Sequence, residues 1–181
     1  NTPDPVKHVV PRETMALTCA ACRRFAENFS AASPNLLLQG GTGLGKPYLS
    51  ACIARVVADR GFSVCYESAC AALDYFELAK FSRDSQEGEA ASARTRRMQD
   101  CDLMILDDLG TEMVTPMSQS ALYTLINTRL VNGKKTIIST NLSFQEISKR
   151  YTDRLTSRLF GGYMHFEFLG RDIRIQSKIM G

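Results

Sequence analysis

The sequence has no apolar run approaching the ~20 residues that a membrane-crossing helix requires, which excludes a helical membrane protein. No secretory leader opens it. Without one, the six cysteines at 19, 22, 52, 65, 70 and 101 read as reduced thiols of a cytoplasmic protein and not as a disulfide framework. A second CxxC, or a Cys/His pair at finger spacing, is missing as well, which weakens a zinc reading of Cys19 and Cys22. Both thiols share a helical stripe with Met15, Phe25, Ala26 and Phe29, so both are expected in the apolar core. A strong charge imbalance is absent: 22 basic against 19 acidic residues leave a net charge of +3, which permits nucleic-acid contact without arguing for it. The first residue is Asn1 and not Met, so upstream sequence is expected to have been removed. Internal repeats, a long linker and a second domain are also missing, and 181 residues fit one domain with a sizeable core.

What is present alternates between two periods. A helix is expected over about 12–29, after Pro11. The apolar run NLLLQ (35–39) follows, then a Gly-rich loop and a helix over about 48–60, closed by Gly61. FSVCYES (62–68) reads as a strand and AALDYFELAKF (71–81) as a helix. The polar segment 82–97 reads as a loop or a solvated helix. CDLMILDDLG (101–110) is a buried strand ending in carboxylates, and Pro116 opens a helix with Leu122, Leu125, Ile126 and Leu130 on one face. KKTIISTN (134–141) is another strand, followed by short helices over about 143–149 and 151–160 and a last strand at 163–169. Strands separated by helices predict an α/β fold: a mostly parallel sheet with helices on both faces.

Four stretches carry chemistry. GGTGLGKP (40–47) follows the phosphate-loop pattern G-x-x-x-x-G-K-[ST] in seven of its eight positions. It sits between a strand and a helix, as that loop requires. Its glycines at 40, 41, 43 and 45 let backbone N–H groups turn inward around phosphates, the helix start adds positive potential, and Lys46 reaches the β/γ-phosphates. The binding set is therefore Gly40, Gly41, Thr42, Gly43, Leu44, Gly45, Lys46, Pro47 and Tyr48. In LMILDDLG, Asp107 and Asp108 emerge at the carboxyl end of a buried strand, where open α/β sheets bind ligands. Asp107 would hold Mg²⁺ through water, and Asp108 would polarise the attacking water. In TIISTN, Asn141 ends a strand and offers an amide to orient that water. In DRLTSRLFGGY (153–163), Arg154 and Arg158 share one helix face, and an arginine supplied to a γ-phosphate is the functional reading.

In their order and spacing the phosphate loop, LMILDDLGTE, TIISTN and DRLTSRL resemble the AAA+ ATPases. Within these the chain is similar to the helicase-loader clade of DnaC/DnaI-type loaders and the related IstB-like transposition ATPases, through NLLLQGGTGLGK, DDLGTE and FLGRDIRIQSK. The likeness runs from about Asn35 to Lys178. DRLTSRLFGGY also resembles the matching segment of the replication initiator DnaA. The resemblance implies a five-stranded P-loop core with strand order 5-1-4-3-2, ATP or ADP with Mg²⁺ as ligands, Asn141 as sensor 1, and Arg158 as an arginine finger acting on a neighbouring subunit. It implies a helical lead-in over 1–34 and an ATPase core over 35–181, with the helical lid absent or vestigial and the upstream partner-binding region missing. Arg174 and Arg154 are the candidates for a second sensor. The implied partners are a replicative helicase or a transposase, a second copy of the chain, and single-stranded DNA, for which Arg171, Arg174, Lys178 and the pair Lys134–Lys135 are the candidate contacts.

Pro47 departs from this pattern. It supplies neither the hydroxyl that ligates Mg²⁺ nor the backbone N–H aimed at a phosphate. It also disfavours helical geometry at Lys46, which must accept strain or move off its phosphate-facing position. ATP hydrolysis is therefore expected to be weak, and two function classes stay open: a nucleotide-driven loader or transposition helper, and a hydrolysis-deficient adaptor that keeps the fold for protein or DNA contacts.

Overall fold

The computed structural model describes residues 11–82 and 84–170. Its element order is α1 (Pro11–Glu27), β1 (Asn35–Gly40), α2 (Lys46–Asp59), β2 (Val64–Ser68), α3 (Ala69–Phe81), α4 (Gln86–Asp100), β3 (Leu103–Leu109), α5 (Pro116–Val131), β4 (Lys135–Thr140), α6 (Phe144–Arg150), α7 (Asp153–Gly162) and β5 (Tyr163–Phe168). All strand pairs are parallel, in the order β2-β3-β4-β1-β5, which is the expected 5-1-4-3-2 read from the other edge.

The inner strands β1, β3 and β4 are buried on both faces, so their alternate residues feed two separate cores. Leu36, Leu38, Leu103, Ile105 and Ile137 face α1 and α2. Leu37, Met104, Leu106 and Ile138 face α3, α4, α5, α6 and α7. Three rings pack against one another in the first core: Phe29 lies edge-on to Phe25 at 5.6 Å and to Phe62 at 5.0 Å between centroids. In α1 only one cysteine joins this core. Cys22 is fully buried, and burial pushes its thiol up to about 12. Cys19 is exposed, contrary to the expectation for both thiols. Three residues apart on a helix is a 60° offset, enough to carry Cys19 past the rim of a narrow stripe. Among the described residues no cluster of three His, Cys, Asp or Glu side chains is placed to hold a metal.

The polar segment 82–97 resolves into a capped helix. Ser85 accepts a hydrogen bond from the Gly88 N–H at 3.0 Å, and Gly88, Ala91, Thr95 and Met98 form its buried face. Their 3-4-3 spacing is helical, but small residues give that face little hydrophobic signal. The end of α4 is tied down by Arg129 of α5, which is fully buried. Its guanidinium donates to the carbonyls of Met98 (2.6 Å), Gln99 (3.1 Å), Cys101 (3.0 Å) and Lys135 (2.5 Å) and to Thr136 Oγ1 (2.9 Å). Helices α5, α6 and α7 each begin on a hydroxyl cap, from Thr115, Ser143 and Thr152.

Candidate functional site

Gly40 ends β1 at φ 152°, and a Cβ there would lie 2.4 Å from the Phe168 carbonyl oxygen, so the loop leaves the sheet where only glycine fits beside β5. Gly45 caps α2 in the left-handed region, φ 86°. The helix then begins at Lys46, two residues earlier than the sequence pattern suggests. Pro47 occupies the first turn, where an N–H has no intrahelical acceptor to lose, and the first i→i−4 bond is Leu49 N–H to the Gly45 carbonyl at 3.0 Å. Of the two outcomes open to Lys46, the chain adopts the first: its backbone is helical despite the following proline.

Lys46 is 2% exposed. Its ammonium donates to Gly40 O at 2.6 Å, Gly41 O at 2.8 Å and Asn141 Oδ1 at 2.7 Å, which uses all three of its protons. Burial lowers its pKa, and the charges of Asp108 and then Asp107 oppose that shift. Phosphate loop, strand-end carboxylates and Asn141 are thus brought together as their spacing predicts. Thr42, Gly43, Leu44, Gly45, Lys46, Pro47, Tyr48, Asp108 and Asn141 line one cavity of about 510 Å³, within the usual range for a small-ligand site. Gly40 and Gly41 stand behind its wall, as acceptors for Lys46.

The two carboxylates differ. Asp108 sits at φ 55°, the one non-glycine residue with positive φ among the described residues, at an irregularity of the β3–β4 ladder between Leu106 and Leu109. Such strain persists where surrounding contacts impose it, and here it aims Asp108 into the cavity. Asp107 stays in the strand behind the cavity, with both oxygens held. Ser139 Oγ–H donates to Oδ1, the Tyr66 phenol donates to Oδ2 at 2.9 Å, and the Asp108 N–H donates to Ser139 Oγ at 2.9 Å. Burial first, and then the bond to Asp107, push the Tyr66 phenol well above its ordinary value, so it remains a donor. Neither Tyr66 nor Ser139 is marked by the motif itself; the signal available was their place on strands next to β3. Glu112, from DDLGTE, is also buried. It accepts from the Gly110 N–H at 2.8 Å and from the Tyr151 hydroxyl, and Arg150 donates to its carbonyl, so it ties the loop after β3 to the end of α6.

The residues present fit a Mg²⁺-nucleotide. One buried cation, Lys46, and one hydrogen-bonded carboxylate, Asp107, with lone pairs to spare belong to the donor set; the hydroxyl at position 47 is the missing member.

Arg158 is not in this cavity. It lies with Arg154, Tyr123, Asp153 and Ser157 around a separate hollow of about 390 Å³, and its Nε donates to Asn127 Oδ1 at 3.0 Å. Arg154 therefore does not meet the nucleotide cavity of its own chain. Lys134 pairs with Asp102 at 2.9 Å, at the end of the sheet opposite the cavity. The candidates Arg171, Arg174 and Lys178 lie outside the described residues. No described helix is long and apolar enough to cross a membrane.

Known proteins resemble the chain in sequence and in fold. The chromosomal replication initiator DnaA of Desulfotalea psychrophila is 22% identical over 165 residues, 89% of this chain and 33% of that protein. A Mycobacterium tuberculosis protein described as ATP-binding and located in an insertion sequence is 29% identical over 110 residues, 61% of this chain and 41% of that protein. The chain thus spans less than half the length of either relative. The DnaC helicase loader superposes with a TM-score of 0.70 at 20% identity, covering 92% of this chain and 93% of that one. DnaA bound to AMPPCP and single-stranded DNA superposes with a TM-score of 0.68 at 23% identity, covering 91% and 50%. The fold is the α/β P-loop core of AAA+ proteins. The IstB-like ATP binding protein family matches residues 17–167, and the chain belongs to that family.

Proposed function

We propose that the chain is an ATP-driven assembly factor whose nucleotide cycle acts on a DNA-processing partner, either a replicative helicase, as the likeness to loaders suggests, or a transposase. The second partner is favoured by the family match and by the insertion-sequence relative. A cytoplasmic setting suits both. The single observation that carries the reading is the placement of the Lys46 ammonium, held between Gly40, Gly41 and Asn141 beneath the strand-end carboxylates. It is poised for a phosphate, because an arriving γ-oxygen need only take over one of three existing acceptors.

In this reading the loop N–H groups bind the phosphates and Lys46 neutralises the β/γ oxygens. Mg²⁺, when bound, neutralises charge that develops between the β- and γ-phosphates. Asp107 would hold it, Asp108 would accept a hydrogen bond from the attacking water, and Asn141 would position that water. Arg158 serves the site of a neighbouring copy, since its own cavity lies elsewhere. Pro47 weakens binding by removing one N–H donor and one hydroxyl. Single-stranded DNA contact, suggested by the DnaA complex, belongs to the same proposal. Titration with a fluorescent ATP analogue, with and without Mg²⁺, tests it. Saturable binding is expected, and its absence in both the native protein and Pro47→Thr would refute it.

A further inference from the structure

A cluster beside the nucleotide cavity is not explained by the family pattern. On the sheet face that packs against α2, Tyr66, Asp107 and Ser139 lie on the adjacent strands β2, β3 and β4. The register sets Tyr66 opposite Ile105, two residues before Asp107 on the same face, so the phenol reaches forward along the strand to Oδ2 at 2.9 Å. Ser139 meets the other oxygen and at the same time accepts from the Asp108 N–H at 2.9 Å. A carboxylate has about four lone-pair sites. Two are used by hydroxyls from opposite sides, one on each oxygen, which leaves about two unused.

Mg²⁺ in a phosphate loop is ordinarily held by two protein groups, the loop Ser/Thr and the strand-end Asp. Here the first is Pro47, so Asp107 is the one protein anchor left. We infer that Tyr66 is a positioning residue for the Mg²⁺ site: its phenol fixes the Asp107 carboxylate in the orientation that the missing hydroxyl at position 47 no longer enforces from the other side. The inference rests on the nucleotide-binding reading above. A purely structural role, in which Asp107 merely satisfies a half-buried phenol, predicts something different. Removing the hydroxyl would then disturb stability, not the metal dependence of ligand binding.

The test is the Mg²⁺ increment, the ratio of ADP-analogue affinity in Mg²⁺ to that in EDTA, read by fluorescence titration. Tyr66→Phe keeps the ring and removes the donor. It should reduce the increment about tenfold, the lower end for loss of an outer-shell partner, and leave the EDTA affinity unchanged. In an Asp107→Asn background the same substitution should have no further effect, because the two residues act as one unit. In a Pro47→Thr background its effect should shrink, since the second anchor is back. An unchanged increment in Tyr66→Phe, or equal losses with and without Mg²⁺, overturns the inference and leaves the nucleotide-binding reading standing. Failure of both the native and Pro47→Thr proteins to bind the analogue overturns both together.

Discussion

Restoring a hydroxyl and an N–H at position 47 isolates what the proline removes. Three losses are conceivable at this residue: the phosphate-directed N–H, the Mg²⁺ ligand, and helical geometry at Lys46. The third does not occur, because Lys46 is already the first residue of α2 and its ammonium is seated on Gly40, Gly41 and Asn141. Mg²⁺ can replace the second with water, of which it normally retains several. The deficit is then one charge-assisted hydrogen bond, ~1.5–3 kcal/mol. At ~1.4 kcal/mol per decade this is about 10- to 150-fold in affinity for Mg²⁺-ATP. Pro47→Thr should tighten binding by that factor in a fluorescent-analogue titration and raise turnover further, because metal placement matters most as charge develops. The apo thermal midpoint should move by no more than about 4 °C. Proline in a first turn forfeits no intrahelical bond, and ~1 kcal/mol of altered chain entropy corresponds to a few degrees at this size. Equal affinity and equal turnover for the two proteins would refute the argument from the missing donor.

Other outcomes follow from named contacts. In a Pro47→Thr background, Arg158→Ala mixed with Asp108→Asn should regain part of the turnover that each loses alone, against an expected single-variant loss of roughly 10³–10⁵-fold; no recovery at any ratio, with assembly verified, removes the trans assignment. Gly40→Ala should lower the thermal midpoint by several degrees, since a Cβ would sit 2.4 Å from the Phe168 carbonyl oxygen at a φ that alanine disfavours. Thiol labelling should modify Cys19 and Cys52 quickly and Cys22 only on unfolding, because Cys22 is buried and its thiol is pushed up to about 12. Asp102 is held down to about 2 by Ser63 and then Lys134. A depressed carboxylate stabilises above its ordinary value and loses that contribution as pH falls from about 4 toward 2. The difference in thermal midpoint between native protein and Asp102→Asn should therefore be present at pH 7 and vanish across that window.

Strand order came with the family resemblance; the loop at the end of β1 and the meeting of Lys46, Asp108 and Asn141 were legible because each rests on a local pattern tied to the end of a buried strand. What escaped depended on partners distant in sequence. Helix α4 is held by a face of Gly, Ala and Thr, too weakly apolar to stand out from its charged residues. Cys19 lies on a stripe whose width only the packing of α1 against α2 decides. Tyr66 and Ser139 look like ordinary strand residues until the register sets them beside Asp107, 41 and 32 positions away. Arg158 was legible as a surface arginine on a helix; among the described residues it meets Asn127 and does not line the cavity of Lys46.

Arg129 sets the entry end of the sheet apart from the end that carries Lys46, Asp108 and Asn141. Where strands enter the sheet, one planar cation staples α4, α5 and β4 through backbone carbonyls, which do not titrate. The guanidinium fork supplies five donors in a fixed plane, so a lysine there would leave several of those carbonyls unpaired. Where strands leave the sheet, the contacts are of the opposite kind: an ammonium shared among three acceptors, a strained aspartate and a carboxylate bridged to the end of α6. Those contacts are exchangeable. The two ends of the sheet thus differ in kind: the entry end is held by carbonyls that carry no ionisable proton, the exit end by ionisable side chains.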